Sequence, residues 1–262
     1  MLERLDHRCL GAIEFVDAIT GARVRDPLKV RSDRLDLRAN GSALYVIRGA
    51  QGLEAHVDAF EAMPTVPAFE AAGEFELEVA DTQQRYLARR ARIKLPRKEA
   101  PLSDAASVLN PLQVTLYPSG ARPVEASWAV LRASVCVVDG ARRIGLANAW
   151  LTLTSSLAGV APATALTDAR GEALLAVPGV APVRPAQDNN GALTRSFPVT
   201  LRVLLHEDFV WRADAKSPLP VADPDQIERD LVQRPAAVKV LNPPVADLAP
   251  GDLQRVKVEV AP

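Results

Sequence analysis

The sequence predicts an all-β protein built of two antiparallel β-sandwich domains, and three observations carry this prediction. Side chains alternate between apolar and polar over short runs, most clearly in EFELEV at 74–79, which is typical of strands with one buried face. Turn signals rich in glycine and asparagine separate these runs. The 21 prolines suit strand edges and loops and disfavour long helices, and 262 residues suffice for two cores.

The first sandwich is predicted over residues 1–97. Asn40-Gly41 is the strongest short turn signal in the chain, because both residues tolerate the left-handed conformation of a tight hairpin. The connection 51–72 carries Pro64 and Pro67 and is predicted to be a surface excursion, a kind of loop that is either functional or disordered. Strands are expected at 11–17, 28–31, 35–38, 43–48, 74–79 and 86–95.

A linker with a connecting strand is predicted over 98–128, because this stretch combines a charge run with prolines and shows little apolar periodicity. Its strand at 112–117 could join either sheet. The second sandwich follows over 129–205, with a polar hairpin or flexible tip around Asn190-Gly191. Its strands are expected at 131–138, 149–154, 163–167, 173–177 and 197–205.

The stretch 146–178 contains the most regular part of the second sandwich. Ala149 and Leu151 are expected to share one side of an extended strand with Ala147 and Leu153, while Trp150 faces the other way. Asp168 can accept hydrogen bonds from the backbone that follows it, and Gly171 tolerates a positive φ. These two residues therefore predict a tight turn between two strands.

This stretch also carries a resemblance to a known family. The run ASVCVVDGARRIGLANAWLTLTSS, followed by ATALTDARGEALLAVPG, resembles the carboxypeptidase regulatory-like, or transthyretin-like, family. The similarity covers residues 131–205, and the T-D-x-x-G turn is its most recognisable part. It implies a small antiparallel sandwich that serves as an accessory or adhesive module rather than as an enzyme.

Residues 206–262 depart from that family pattern and are predicted to form a proline-rich C-terminal extension. Asp223, Pro224 and Gln226 match the N-cap, N1 and N3 positions of a short helix that runs to about residue 233. Strands are expected at 238–241 and 256–260. Such an extension is suited to reaching another chain.

Charge and cysteine usage exclude several classes of protein. The 31 basic and 32 acidic residues nearly cancel and are mixed in sign, which argues against a nucleic-acid or polybasic membrane surface. The local basic excess is interpreted as a solvated strand face; it comprises Arg34, Arg38, Arg89, Arg90 and Arg92. Cys9 and Cys136 are expected to be buried free thiols, with an interdomain disulfide as the alternative.

The amino-terminal sequence MLERLDHRCLGAIEF lacks the uninterrupted apolar segment of a signal peptide, and no run reaches the length of a membrane span. A cytoplasmic location is therefore expected, with later incorporation into a released particle as a further option.

Few residues suggest chemistry. His206-Glu207-Asp208 is a run of three adjoining titratable groups, and a metal could bind His206 and Asp208 if a strand placed both on one side. His56 and Asp58 have the same spacing. Neither pair has an identifiable third ligand, so both are expected to be solvated polar groups, and no metal, cofactor or catalytic residue is predicted.

Three other motifs also have plain structural interpretations. Asp188 to Gly191 resembles a calcium loop but lacks its terminal glutamate, and is expected to be a hairpin tip. Arg170-Gly171-Glu172 is expected to be a turn with no adhesive role. The three tryptophans would form a sugar platform if exposed, but core positions are favoured; they are Trp128, Trp150 and Trp211.

The favoured function is a non-enzymatic structural or adaptor subunit that presents sheet edges and loops to neighbouring protein subunits. DTQQRYLARRARIKLPR, VTLYPSGARP and the TDARGEALLAVPG segment together resemble bacterial proteins among phage-tail-like contractile injection components. That resemblance implies a cap, collar or baseplate subunit with tail-tube, sheath or cap proteins as partners. A carbohydrate- or peptide-binding module is the alternative, and a metal-dependent enzyme is a third class.

Overall fold

The computed structural model describes residues 9–54, 73–98, 100–179, 196–214 and 220–261. Within these ranges the protein is all-β with one short α-helix near the C-terminus, as predicted, and it contains sixteen strands. The chain divides into two compact units. The first comprises residues 1–17, 22–82 and 88–116, and the second comprises residues 18–21, 83–87 and 117–262.

The first unit contains two sheets, of strand order β3-β4-β1-β7 and β2-β5-β6. The alternation at 74–79 buries Phe75, Leu77 and Val79 and exposes the glutamates between them, as the sequence predicts. Tyr45 links the sheets, since its hydroxyl both donates to the carbonyl of Leu28 and accepts from its amide. The strands are β1 Gly11–Asp17, β2 Leu28–Arg31, β3 Leu35–Ala39, β4 Leu44–Ala50, β5 Gly73–Asp81, β6 Arg89–Leu95 and β7 Leu112–Leu116.

The linker predicted at 98–128 is divided between the two units. Its strand β7 pairs in parallel with β1, so that Phe15 lies opposite Val114. The segment up to residue 116 therefore completes the first unit, because β7 adds an edge to the sheet of β1. Residues 117–128 belong to the second unit.

The second unit is a sandwich of two sheets around one apolar core. One sheet has the order β11-β10-β13-β15, and the other has the order β12-β8-β9-β14 with β16 added to β8. The strands are β8 Ala129–Asp139, β9 Arg142–Ala147, β10 Trp150–Ser155, β11 Ala163–Leu166, β12 Glu172–Val177, β13 Val199–His206, β14 Trp211–Arg212, β15 Val238–Leu241 and β16 Leu253–Val260.

Side-chain alternation determines which residues enter this core. Leu151 and Leu153 point inward and join Leu131 and Val135 of the opposite sheet, all at most 1% exposed. Trp150 points to the outer face, where the α-helix α1, Pro224–Gln233, covers it through Ile227. Asp223 caps this helix by accepting from the amide of Gln226 at 3.3 Å, which confirms the predicted N-cap.

The region after residue 206 is not a free extension. β15 pairs with β13, and β16 runs parallel to β8 along its whole length, from Leu253 to Val260. Val258 and Val260 enter the core, as their alternation predicts. The sequence-based interpretation of an arm reaching another chain is therefore wrong for these strands, because they complete both sheets of the second unit.

Candidate functional site

The turn at Asp168–Glu172, on which the family resemblance depends most, is built by one carboxylate. Oδ1 of Asp168 accepts from the amides of Arg170 at 2.8 Å and Glu172 at 2.9 Å. Gly171 has a φ of 83°, a conformation that favours glycine. The predicted turn is confirmed, and Arg170 uses its guanidinium to pair with Asp168 at 3.0 Å.

Close backbone packing makes this turn part of the scaffold. A Cβ on Gly171 would lie 2.3 Å from the carbonyl oxygen of Val135, and one on Gly145 would lie 2.0 Å from that of Arg170. The hydroxyl of the buried Thr167 donates to the carbonyl of Leu146 at 2.6 Å and accepts from the amide of Ala149 at 2.8 Å. These contacts hold the turn against neighbouring strands.

Between β9 and β10 the chain bends at Asn148, where φ is +62°. The amide group of Asn148 donates to the carbonyl of Phe209 at 3.1 Å. The continuous strand expected from Ala147 onward is therefore two strands that meet at a corner, although Ala149 and Leu151 do face the core as predicted.

The His206-Glu207-Asp208 sequence forms a corner after β13. His206 is only 1% exposed and packs on the ring of Phe209, so the expectation that it is solvated is wrong; Glu207 and Asp208 are exposed. Nδ1 of His206 accepts from the amide of Asp208 at 3.2 Å, and the carboxylate of Asp208 pairs with Arg234 at 2.6 Å. That salt bridge raises the pKa of Arg234. The side chains of Asp208 and Arg234 thus hold the end of α1.

No further metal ligands join His206 and Asp208 among the described residues. Among the described residues, no group of three or more histidine, cysteine, aspartate or glutamate side chains is placed to hold a metal ion. His56, Asp58 and the Asp188 to Gly191 motif lie outside the described residues. In the same described part of the chain, no helix is long and apolar enough to cross a membrane.

The tryptophans are mostly structural. Trp128 and Trp150 are 6% and 5% exposed, as expected for core residues, and Trp211 is partly exposed on the two-residue strand β14. Trp150 contacts Tyr117 edge to face, with ring centroids 5.7 Å apart. The three side chains therefore do not form an exposed aromatic platform.

The two cysteines are both free, which excludes the interdomain disulfide. Cys136 is buried, as expected, and its burial raises the pKa of the thiol. Cys9 is exposed, so the prediction of a buried thiol is wrong there.

The arginine cluster of β6 is divided between two environments. Arg90 and Arg92 lie on the solvated face and pair with Glu76, at 3.6 and 3.9 Å. Arg89 is instead 1% exposed and donates to the carbonyl of Thr115 at 2.5 Å, so the expectation of a solvated residue is wrong at this position. Alternation along β6 places Arg89 on the buried side.

The most distinctive exposed feature is a loop of the first unit, residues 100–110, which we call the Arg97 loop. Arg97 donates from one nitrogen to the carbonyls of Ala105 at 2.6 Å, Ser107 at 3.0 Å and Asn110 at 3.4 Å. Burial lowers the pKa of this guanidinium. The guanidinium of Arg97 therefore binds three carbonyl groups from the second half of the loop.

Polar side chains within the Arg97 loop complete its hydrogen bonding. The amide group of Asn110 donates to the carbonyls of Leu102 at 2.7 Å and Asp104 at 2.8 Å. The hydroxyl of Ser107 donates to the carbonyl of Ala100. Despite this order, Leu102 and Leu109 are 65% and 63% exposed. These leucines were not predicted as functional from the sequence, although the turn-forming Ser103, Asp104, Ser107 and Asn110 around them were a usable signal.

A second feature lies in the second unit, between its two sheets, and we call it the end groove. It has a volume of about 570 Å³ and opens where β13 ends. Val137, Leu205 and Val260 form its apolar floor, and they also belong to the core of the sandwich. Its charged lining residues are Glu207, Arg212 and Lys239, and Arg212 pairs with Asp139 at 3.2 Å and Asp214 at 3.0 Å.

Comparisons with known proteins do not assign a family. No protein-family model matches the chain, and no curated protein matches it. Two solved structures align with 96% of the chain: the Bacillus anthracis TIE protein, at 9% identity and a TM-score of 0.21, and a Streptococcal ancillary pilin, at 10% identity and a TM-score of 0.22. The aligned region spans 34% of the first protein and 68% of the second. Similarities this low carry no conclusion about function.

Proposed function

We propose that this chain is a non-enzymatic structural or adaptor subunit that mediates protein–protein assembly. The Arg97 loop is the observation that supports this proposal best. Large apolar side chains that are exposed to solvent are available for burial against a protein partner. Leu102 and Leu109 are held on backbone that hydrogen bonds already fix, so their binding to a partner costs little additional ordering.

The Asp168 turn and the His206 corner also support this proposal, because three of their polar side chains are used in structural contacts. Asp168 and Thr167 are used in hydrogen bonds that hold strands together, and Asp208 is used in a salt bridge to α1. Each of these polar groups therefore has a structural task. Within the described residues, the Arg97 loop offers two such exposed leucines to a partner.

The proposal also specifies the kind of assembly to which the chain belongs. The three segments quoted above from residues 81–97, 114–123 and 167–179 resemble components of phage-tail-like contractile injection systems, and on that basis we place the chain at a cap, collar or baseplate. We further propose that it resides in the cytoplasm until it is incorporated into the particle. Antibody detection of the chain in purified particles tests this, and its absence from them would remove this placement.

Photo-crosslinking in cells that produce the protein tests the general function. A photo-reactive phenylalanine analogue replaces Leu102 in one strain and Leu157, a less exposed leucine of the second unit, in a matched control strain. We expect discrete covalent adducts with protein subunits at position 102 and few at position 157. Equal adduct yields at both positions, or none at either, would contradict the assembly function.

A further inference from the structure

We propose that Asn40 is a site of self-catalysed deamidation, in which the main-chain nitrogen of Gly41 attacks the side-chain amide of Asn40. These two residues lie in the turn between β3, which ends at Ala39, and β4, which begins at Leu44. Both are exposed, and the proposed assembly function does not use them. Four hydrogen bonds of this turn, and the one amide that takes no part in them, support the proposal.

The side-chain oxygen of Asn40 is held by two backbone donors. Oδ1 accepts from the amides of Ser42 and Leu44, both at 2.9 Å. Negative charge develops on this oxygen when a nucleophile adds to the carbon that carries it, and fixed donors at such distances stabilise that charge. The turn therefore contains the equivalent of an oxyanion hole for the side chain of Asn40.

The amide nitrogen of Gly41 is the available nucleophile. In the same turn the amide of Asn40 donates to the carbonyl of Leu44 at 2.9 Å, and that of Ala43 donates to the carbonyl of Asn40 at 3.1 Å. Within the described part of the chain, the amide of Gly41 donates no hydrogen bond. The ring closed by the hydrogen bond from Ser42 to Oδ1 includes both this nitrogen and Cγ of Asn40, so the reacting atoms are held in one small ring.

The missing side chain at Gly41 leaves this nitrogen accessible. The residue of the turn with a left-handed conformation is Ala43, at a φ of 58°, and Gly41 does not adopt that conformation. A Cβ on Gly41 would meet no atom within 4 Å. Glycine is therefore required here neither by backbone conformation nor by close packing, and its effect is to leave the approach of the nitrogen to Cγ unobstructed.

The reaction uses water as its co-reactant. Solvent removes the amide proton of Gly41, the nitrogen forms a bond to Cγ of Asn40, and the bond from Cγ to Nδ2 breaks to release ammonia, which takes up a proton. The product is a cyclic imide. Water opens this ring either at the new bond, which leaves aspartate, or at the original main-chain bond, which leaves isoaspartate with one additional carbon in the main chain.

The two products affect the hairpin of β3 and β4 differently. Aspartate retains an oxygen that accepts from Ser42 and Leu44, and it adds one negative charge. Isoaspartate lengthens the main chain beside the position where Ala39 lies opposite Tyr45. The hydroxyl of Tyr45 bonds Leu28 of the other sheet, so we expect the isoaspartate form to weaken the link between the two sheets of the first unit.

Peptide mapping of the full-length protein during incubation at mildly alkaline pH is the experiment. Trypsin cleaves after Arg38 and Arg48 and releases residues 39–48, whose mass rises when the amide becomes an acid. The same peptide, incubated free in the same buffer, has the sequence without the folded turn. We expect Asn40 to convert about tenfold faster in the folded protein than in the free peptide, and to give both products, because the two donors are in place before the reaction.

Gly41→Ala tests the identity of the attacking atom, and Ser42→Ala is its control, since it changes the neighbouring side chain but retains the amide that donates to Oδ1. We expect Gly41→Ala to slow the conversion in the folded protein and Ser42→Ala to leave it unchanged. A folded protein that converts no faster than the free peptide, a product that is aspartate alone, or a Gly41→Ala protein that converts as fast as the wild type would each overturn this inference.

Discussion

The Asp168 turn and the Arg97 loop are held by the same kind of hydrogen bonding, but they have opposite roles in our account. The turn is part of the scaffold, and the loop is an interaction surface. In each, one charged side chain gathers backbone groups: Asp168 accepts from two amides, and Arg97 donates to three carbonyls. The turn is then pressed against neighbouring strands, so that glycine is required at residue 171. The loop instead exposes Leu102 and Leu109. A well-ordered backbone therefore does not indicate the role of a connecting segment. Its role is indicated by whether neighbouring strands pack over it.

The largest expected effect comes from Gly171→Ala in the turn. The new Cβ would lie 2.3 Å from the carbonyl oxygen of Val135, at a φ of 83°. We expect the free energy of unfolding to fall by at least about 3 kcal/mol, since both backbone strain and overlap must be relieved. Urea denaturation followed by tryptophan fluorescence measures this, because all three tryptophans lie in the second unit.

Gly140→Ala is the control for that variant. Gly140 also has a positive φ, 59°, but a Cβ there would meet no atom within 4 Å. A loss of about 1–2 kcal/mol from conformation alone is expected. Equal losses at the two glycines would show that close packing of the turn is unimportant.

Thr167→Val comes next in size. The buried hydroxyl bonds the carbonyl of Leu146 and the amide of Ala149, and valine leaves both buried groups without this partner. We expect a loss of about 1–3 kcal/mol in the same denaturation experiment. Thr152→Val, on the partly exposed side of β10, should change stability by less than about 0.5 kcal/mol. A Thr167→Val protein as stable as the wild type would contradict the scaffold interpretation of this region.

Arg97→Met tests the loop. Three carbonyl groups lose their charged donor, so the amides of residues 100–110 should exchange with solvent about tenfold faster or more in hydrogen-exchange mass spectrometry. The second unit should unfold at the same urea concentration as before. Arg92→Met, on the exposed sheet face, is the control and should leave exchange in the loop unchanged. Unchanged exchange in the Arg97→Met loop would show that Arg97 does not order it.

The smallest expected effect on stability is that of Leu102→Ser with Leu109→Ser. Both side chains are more than half exposed, so the free energy of unfolding should change by less than about 0.5 kcal/mol for each residue. Thermal denaturation measures this change. A larger loss would mean that the leucines stabilise the first unit, and it would remove the contrast between loop and turn.

Much of the fold follows from the sequence because alternation and turn chemistry act locally. The strands at 11–17 and 238–241 have their predicted bounds, and Asp223 begins the helix as expected. The separate strand β9 was missed, since a two-residue corner at Asn148 and Ala149 divides what alternation presents as a single strand.

Pairing between distant strands could not be predicted in this way. The parallel partners β7 and β16 were interpreted as a linker strand and part of an extension, because their alternation does not identify the strand beside them. The same limit applies to the candidate site. The exposure of Leu102 and Leu109 depends on how Arg97 folds the loop, and the end groove is lined by strands that are far apart in sequence.

Photo-crosslinking in cells that produce the protein, from position 102 in the loop and from position 170 in the turn, tests most directly whether the loop is an interaction surface and the turn a scaffold. We predict discrete adducts with protein subunits from position 102 and few from position 170, although the side chain of Arg170 is 70% exposed. Equal adduct yields at the two positions, or adducts from position 170 alone, would contradict this account.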